Sequence, residues 1–113
     1  MSEIKDNELK WLGIDFDQTI ASNSGAPDFT PLEPLDGAKE ALDLLVSKGW
    51  KIVIYTARAW HEYDIIENWL NKYNLPFRRI VCGKLFVKWM IDDRNIEFKG
   101  NWPEIIERLN HDI

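Results

Sequence analysis

Four short, mostly apolar runs along the chain predict β-strands. The runs lie at residues 11–14, 52–55, 80–82 and 86–91. In the second run, consecutive apolar residues are typical of a strand covered on both faces in a parallel sheet. Three of the runs are followed directly by side chains that can do chemistry: Asp15, Thr56 and Asp92. The strands are therefore expected to place reactive groups at their carboxyl ends.

Three further segments have apolar residues three and four positions apart, which predicts amphipathic helices. They lie within residues 36–49, 59–74 and 102–110. The first has Asp36 as a candidate N-cap and Gly49 at its end, and its predicted inner face comprises Ala38, Ala41, Leu42, Leu45 and Val46. Alternating strands and helices predict a three-layer α/β/α sandwich around a mostly parallel, Rossmann-like sheet.

Composition limits the size and the partners of this fold. The chain has 113 residues, 45% of them hydrophobic, which predicts one domain spanning residues 1–113. Residues 21–35 are rich in Ser, Asn, Gly and Pro and predict an irregular loop. The net charge of −5, with Arg78 and Arg79 as the only paired basic residues, argues against nucleic acid as a partner. A single cysteine, no signal-like N-terminus and no long apolar run predict a cytoplasmic protein without membrane segments.

Carboxylates dominate the predicted carboxyl edge of the sheet, where open α/β folds bind their ligands. Asp15 and Asp17 follow the first strand, and Asp92 and Asp93 follow the last. Like charges repel one another unless a cation lies between them. Oxygen ligands of this kind suit Mg²⁺, which often takes a further ligand from a substrate phosphate. We therefore expect Mg²⁺ as cofactor and a phosphorylated small molecule as substrate.

A threonine and a lysine complete the expected phosphate site. The Thr56 hydroxyl can donate a hydrogen bond to a phosphate oxygen, and a lysine can offset the phosphate charge. Both Lys84 and Lys88 precede the second acidic pair. Lys84 is preferred because it follows a glycine in a predicted loop, whereas the direction of Lys88 depends on strand register. Together these groups are the parts of phosphoryl transfer by a carboxylate nucleophile.

The sequence resembles the haloacid dehalogenase superfamily of aspartate-nucleophile phosphatases over residues 11–102. DFDQT resembles its first motif, Asp-x-Asp-x-Thr, and IVIYTAR resembles the strand that ends in the second-motif threonine. Lys84 followed by MIDDR resembles the third and fourth motifs. TAR, IDDR and FKGNW are similar to small members that have no cap domain. The lengths between the motifs also leave no room for a cap, so we expect an open site, with a second subunit as one candidate for a lid.

The resemblance implies roles for the four carboxylates. Asp15 would attack phosphorus and form an aspartyl-phosphate, while Asp17 would protonate the leaving oxygen and later activate water. Mg²⁺ would be held by the Asp15 carboxylate, the Asp17 backbone carbonyl and an acid of the second pair. Asp93 is the expected direct ligand, and Asp92 would bind directly or through water.

The resemblance assigns further residues and shows one departure. By the resemblance, Thr56 and Lys84 would bind the phosphate. Independently of it, Arg58 is a candidate to bind the substrate by pairing with the leaving group, or to pair with a surface acid. Trp60 is a candidate to stack on a substrate ring or to form a subunit contact. Gln18 stands where the family usually has Gly, so the turn after the first motif must accept a side chain.

The expected function is that of a Mg²⁺-dependent phosphatase for a phosphomonoester such as a sugar phosphate or nucleotide. One alternative is a phosphotransferase of the same fold, which would pass the phosphoryl group to an alcohol. The other is a non-catalytic module that binds a phosphorylated ligand or a protein. The presence of Asp15, Asp17, Thr56 and Lys84 together argues against the binding module.

Overall fold

The computed structural model describes residues 10–22, 30–84, 87–89 and 91–110, and these contain a parallel three-stranded sheet. Its strands are β1 (Trp11–Asp15), β2 (Lys51–Tyr55) and β3 (Arg79–Val81), in the order β1-β2-β3. In the register of the sheet, Ile14 lies beside Ile54, and Ile54 beside Ile80. Three of the four predicted strands and the α/β class are therefore confirmed.

All three predicted helices are present. They are α1 (Ala38–Ser47), α2 (Tyr63–Lys72) and α3 (Trp102–Asn110), and a single 3₁₀ turn at Trp60–Glu62 precedes α2. The prediction of Asp36 as N-cap is wrong, because the capping position is Gly37, which has a φ of +84° and provides no side chain. Gly49, with a φ of +95°, ends α1 as expected.

The apolar core joins one face of the sheet to the helices. Ile52 and Ile54 of β2 are buried together with residues of α1 and α2, namely Leu42, Leu45, Ile66 and Leu70. Val46 does not belong to this face; it is 44% exposed, because the step from Leu45 to Val46 turns its side chain away from the sheet. The expectation that β2 is covered on both faces is also wrong, since Tyr55 is 38% exposed and lies instead beside Lys84.

The fourth predicted strand is not found among the described residues. Residues 87–89 and 91–94 have no strand structure, and Val87, Trp89 and Ile91 are exposed. Leu85, Phe86 and Met90 lie outside the described residues, as does most of the predicted loop, residues 23–29. Without a fourth strand, β1 is an edge of the described sheet. In the described part of the chain, no helix has the length and apolarity needed to span a membrane.

Candidate active site

Three of the predicted site residues meet at the carboxyl edge of the sheet. Asp15 is the last residue of β1, and Thr56 directly follows β2. The loop after β3 is tied to this edge, because the Lys84 backbone N–H donates to the Thr56 carbonyl over 2.9 Å. The parallel register therefore brings together groups that are far apart in the sequence.

Asp15 and Lys84 form an ion pair at this edge. Lys84 Nζ lies 3.4 Å from Asp15 Oδ2, and Asp15 Oδ1 accepts the backbone N–H of Phe16 over 2.9 Å. Burial raises the pKa of the Asp15 carboxyl above its ordinary value, while Lys84 and the Phe16 N–H act in the opposite direction. Lys88, the other candidate lysine, is exposed. The structure thus places Lys84 beside the expected nucleophile.

The turn after Asp15 explains how two carboxylates flank an aromatic residue. Phe16 is fully buried and packs edge-on against Trp69, with ring centroids 5.1 Å apart. Gln18 has a φ of +62°, in the left-handed region, and its N–H donates to the Ala21 carbonyl over 2.7 Å. The turn therefore accepts Gln18 at the place where the resembling family usually has Gly.

Thr56 lies beneath the site and is completely buried. Its Oγ1 accepts the backbone N–H of Arg58 over 3.1 Å. The hydroxyl thus stabilises the turn that leaves β2. Its expected contact with a phosphate stays a prediction.

Arg58 contacts carboxylates on both sides of its guanidinium. Its Nη2 donates to Asp17 Oδ1 over 2.8 Å, its Nε to Asp17 Oδ2 over 2.9 Å, and its Nη1 to Glu62 Oε1 over 2.9 Å. Hydrogen bonding to Asp17 raises the pKa of Arg58 above its ordinary value, although burial opposes this shift. Of the two roles expected for Arg58, pairing with an acid is the one seen here. Glu62 was not identified from the sequence, because a Glu at the start of a helix is common for capping alone.

The second acidic pair is not brought to this site. Asp93 is highly exposed and lies 3.9 Å from Arg94 Nε, while Asp92 Oδ1 accepts the Arg94 backbone N–H over 2.9 Å. In the described ranges, no three His, Cys, Asp or Glu side chains lie close enough to hold a metal ion. Asp15 and Asp17 supply the oxygen chemistry that Mg²⁺ prefers, but the described arrangement is not a complete ligand set.

A cleft of about 470 Å³ connects the site to α3. It begins at Asp15 and Lys84 and is lined by β1 on one side and by Trp102 and Ile105 on the other. The indole N–H of Trp102 is buried and has no hydrogen-bond partner among the described residues. The cleft therefore lies along the side of β1 that is unpaired in the described sheet, and it has a largely apolar far end.

An aromatic pair formed by exposed Trp60 and partly buried Tyr63 lies beside the Lys84 loop. Trp60 is 58% exposed and stacks on Tyr63, with ring centroids 6.2 Å apart and planes 12° from parallel. Its indole lies next to Gly83. Trp60 therefore remains accessible to a ligand.

Cys82 is buried, as expected, and burial raises the pKa of its thiol. Cys82 is thus part of the core.

Comparisons with known proteins support the fold and name no function. No protein-family model matches the sequence, and no curated protein matches it significantly. The chain is similar to a crystal structure of a target protein from Vibrio cholerae, with 25% identity and a TM-score of 0.65, over 88% of this chain and 98% of that one. It is also similar to a conserved protein from Bacteroides thetaiotaomicron, with 23% identity and a TM-score of 0.65, over 91% of both chains. The chain thus shares its fold with these bacterial proteins over nearly their whole lengths.

Proposed function

We propose that this protein is a Mg²⁺-dependent phosphatase that hydrolyses a phosphomonoester through an aspartyl-phosphate. The observation that carries the proposal is the position of Asp15 at the end of β1, with Lys84 Nζ at 3.4 Å. A carboxylate beside a fixed cation, at the edge of the sheet where ligands bind, can approach a phosphate without facing uncompensated charge repulsion. Asp17, two residues on and hydrogen-bonded to Arg58, would serve as acid and base.

The reaction balances with Asp15 as a carboxylate, Asp17 as a protonated carboxylic acid, and one water. A carboxylate oxygen of Asp15 attacks phosphorus, the bond from phosphorus to the leaving oxygen breaks, and Asp17 gives that oxygen a proton. In the second step Asp17 takes a proton from water, the water oxygen attacks phosphorus, and the bond to Asp15 breaks. Inorganic phosphate is released, Asp15 is again a carboxylate, and Asp17 is again protonated. Lys84 balances phosphate charge in both steps.

The proposal includes a ligand set for Mg²⁺. Asp15, the backbone carbonyl of Asp17, and Asp93 with Asp92 would hold the ion, which would neutralise charge on the phosphate. This set requires the second acidic pair to move to the end of β1. Two observations favour such a movement: β1 is unpaired on one side in the described sheet, and a cleft with a largely apolar far end lies along that side.

The segment before the second acidic pair has the pattern of a strand. Val87, Trp89 and Ile91 alternate along the chain and are 53%, 77% and 100% exposed. Pairing of this segment with β1 would cover these apolar side chains and complete a four-stranded sheet in a three-layer α/β/α sandwich. The capless haloacid dehalogenase architecture belongs to this proposal, as does the cytoplasmic location.

The first test is release of inorganic phosphate. We expect the protein to release phosphate from p-nitrophenyl phosphate and from members of a panel of sugar phosphates and nucleotides, with Mg²⁺ but not with EDTA. Asp15→Asn should abolish turnover. Asp43→Asn is a matched control, because Asp43 is an exposed partner of Lys39 on α1, and it should keep full activity.

Two results would contradict the phosphatase. If Asp15→Asn turns over substrate as fast as the wild type, Asp15 is not the nucleophile. An inactive but folded wild type that binds phosphorylated ligands would favour the binding module. Adding glycerol or methanol separates hydrolysis from phosphotransfer, because a phosphotransferase would form the alkyl phosphate in preference to inorganic phosphate.

A further inference from the structure

Arg58 and Asp17 form the most extensively hydrogen-bonded ion pair at the site. Arg58 Nε and Nη2 together engage both oxygens of the Asp17 carboxylate, at distances of 2.8–3.2 Å. This fork-to-fork geometry is specific to arginine, since a lysine ammonium has no planar pair of donors. The Arg58 side chain is only 9% exposed, and that of Asp17 is 28% exposed. The pair is therefore largely shielded from solvent and geometrically defined.

Glu62 holds Arg58 from the opposite side. Glu62 Oε1 accepts Arg58 Nη1–H over 2.9 Å, while Glu62 Oε2 accepts the backbone N–H of Ala59 over 3.3 Å. The Glu62 backbone N–H also donates to the Ala59 carbonyl over 2.9 Å. The 3₁₀ turn thus fixes a carboxylate whose direction sets the orientation of the guanidinium.

The backbone of Arg58 is tied to two other parts of the site. Its N–H donates to Thr56 Oγ1 over 3.1 Å, and its carbonyl accepts the Gly83 N–H over 2.9 Å. Its guanidinium carbon lies 5.7 Å from the centre of the Phe16 ring. Because Phe16 sits between Asp15 and Asp17 in the sequence, the guanidinium is held against the same turn that carries both carboxylates.

We propose that Arg58, held by Glu62, is a positioning residue that orients the Asp17 carboxylate for proton transfer and does not bind the substrate phosphate. This inference rests on the proposed function, since it assigns a role within that reaction. Proton transfer requires the donor and the leaving oxygen to be within hydrogen-bond reach, so a protonated Asp17 side chain that is free to rotate would transfer its proton less often. Arg58 and Glu62 remove that freedom.

The role has a kinetic signature. A phosphoester with a strongly acidic leaving group, such as p-nitrophenol, departs with little help from an acid, whereas an alkyl phosphate needs the proton. The value of kcat/KM reports the steps up to departure of the leaving group. Loss of the orientation of Asp17 should therefore lower kcat/KM for an alkyl phosphate much more than for p-nitrophenyl phosphate.

The experiment compares Arg58→Lys, Glu62→Gln and the wild type on p-nitrophenyl, phenyl and alkyl phosphates with Mg²⁺. We expect Arg58→Lys to lower kcat/KM for the alkyl phosphate by about 100-fold and for p-nitrophenyl phosphate by less than about tenfold. Glu62→Gln should also lower kcat/KM more for the alkyl phosphate than for p-nitrophenyl phosphate, but by a smaller factor than Arg58→Lys does. Glu62→Gln leaves Arg58 in place, so it carries the test if Arg58→Lys does not fold. Arg108→Lys, an exposed substitution on α3, is the matched control and should change none of these values.

Three results would overturn the inference. An equal loss of kcat/KM for all three esters, expressed as a higher KM at unchanged kcat, would make Arg58 a phosphate ligand. A uniform loss of kcat in step with a lower melting temperature would make the pair purely structural. A wild type without phosphatase activity would overturn the proposed function and this inference with it, whereas the first two results leave the phosphatase intact.

Discussion

At the scale of single residues, the alternation of Asp15, Phe16 and Asp17 explains how a charged edge is built on an apolar core. Phe16 is fully buried, while the carboxylates on either side are 40% and 28% exposed. Successive side chains at a strand end point in opposite directions, so one aromatic anchor holds two acids at the surface. This arrangement partly buries the Asp15 carboxyl, and the burial raises its pKa.

This raised pKa predicts a pH-dependent gain in stability for Asp15→Asn. In the folded protein Asp15 binds its proton more tightly than in the unfolded chain, so its contribution is stabilising below the ordinary pKa. That contribution is lost as the pH rises through the raised pKa. Without metal, Asp15→Asn should therefore have a higher melting temperature than the wild type at pH 7. The difference should disappear towards pH 3.

The expected gain is less than about 1 kcal/mol, because the Asp15 side chain is partly solvated. Thermal melts of both proteins in EDTA, from pH 3 to pH 8, measure it. Asp43→Asn makes the same chemical change at an exposed site on α1, and as the control it should not raise the melting temperature at pH 7. A lower melting temperature for Asp15→Asn at pH 7 would mean that the ion pair with Lys84 outweighs the burial of the carboxylate.

At the scale of elements, the loop after β3 positions Lys84 through a glycine. Gly83 has a φ of +83°, and its N–H donates to the Arg58 carbonyl. A Cβ at this position would lie 3.5 Å from the Trp60 indole nitrogen, which is an ordinary contact. The requirement for glycine therefore arises from the backbone conformation and not from crowding.

Gly83→Ala and Gly100→Ala separate backbone strain from function. Gly100 has nearly the same φ, +82°, and a Cβ there would meet nothing within 4 Å. Each substitution should lower the free energy of unfolding by about 1–2 kcal/mol, as measured by urea denaturation. Only Gly83→Ala should also reduce phosphatase activity, because Lys84 follows it directly. Equal activity of the two variants would show that the loop does not position Lys84.

The same scale shows which parts of the fold could be predicted from the sequence. Three strands and three helices were predictable, because their apolar spacing is local. The left-handed cap at Gly37 was not predictable from the sequence. Asp36 has the chemistry of an N-cap, and only the backbone φ shows that Gly37 occupies the capping position instead. The outward position of Val46 follows from the helical step after Leu45, which the predicted inner face did not take into account. The exposure of Tyr55 depends on what packs against β2, and periodicity does not contain that information.

The candidate site was predictable in part for a similar reason. Asp15, Thr56 and Lys84 meet because the carboxyl ends of parallel strands share one edge, which follows from the order of the elements. The sequence did not decide whether Arg58 pairs with the leaving group of a substrate or with an acidic side chain, because a long arginine side chain can reach either. Asp92 and Asp93 were expected at this edge on the assumption of a fourth strand, which the described residues do not contain.

At the scale of the whole molecule, the free edge of β1 and the exposed segment before Asp92 belong to one proposed transition. Val87, Trp89 and Ile91 expose apolar side chains, and the cleft along β1 is largely apolar at the end away from Asp15. Burial of these side chains favours pairing with β1, whereas bringing Asp92 and Asp93 to Asp15 adds charge repulsion. A divalent cation removes the repulsion, so Mg²⁺ should drive the segment onto the sheet.

Trp89 reports this transition. It is 77% exposed, so docking should move its fluorescence emission to shorter wavelength when Mg²⁺ is added, and the shift should be absent in Trp89→Phe. Trp60→Phe, which removes another exposed indole, should keep the shift. Asp93→Ala should weaken the Mg²⁺ dependence at least about tenfold, while Glu97→Ala should leave it unchanged, because Glu97 lies near Lys99 in an exposed pair. If Mg²⁺ binds without changing the emission of Trp89, the segment does not dock on β1, and the metal must take its remaining ligands from elsewhere.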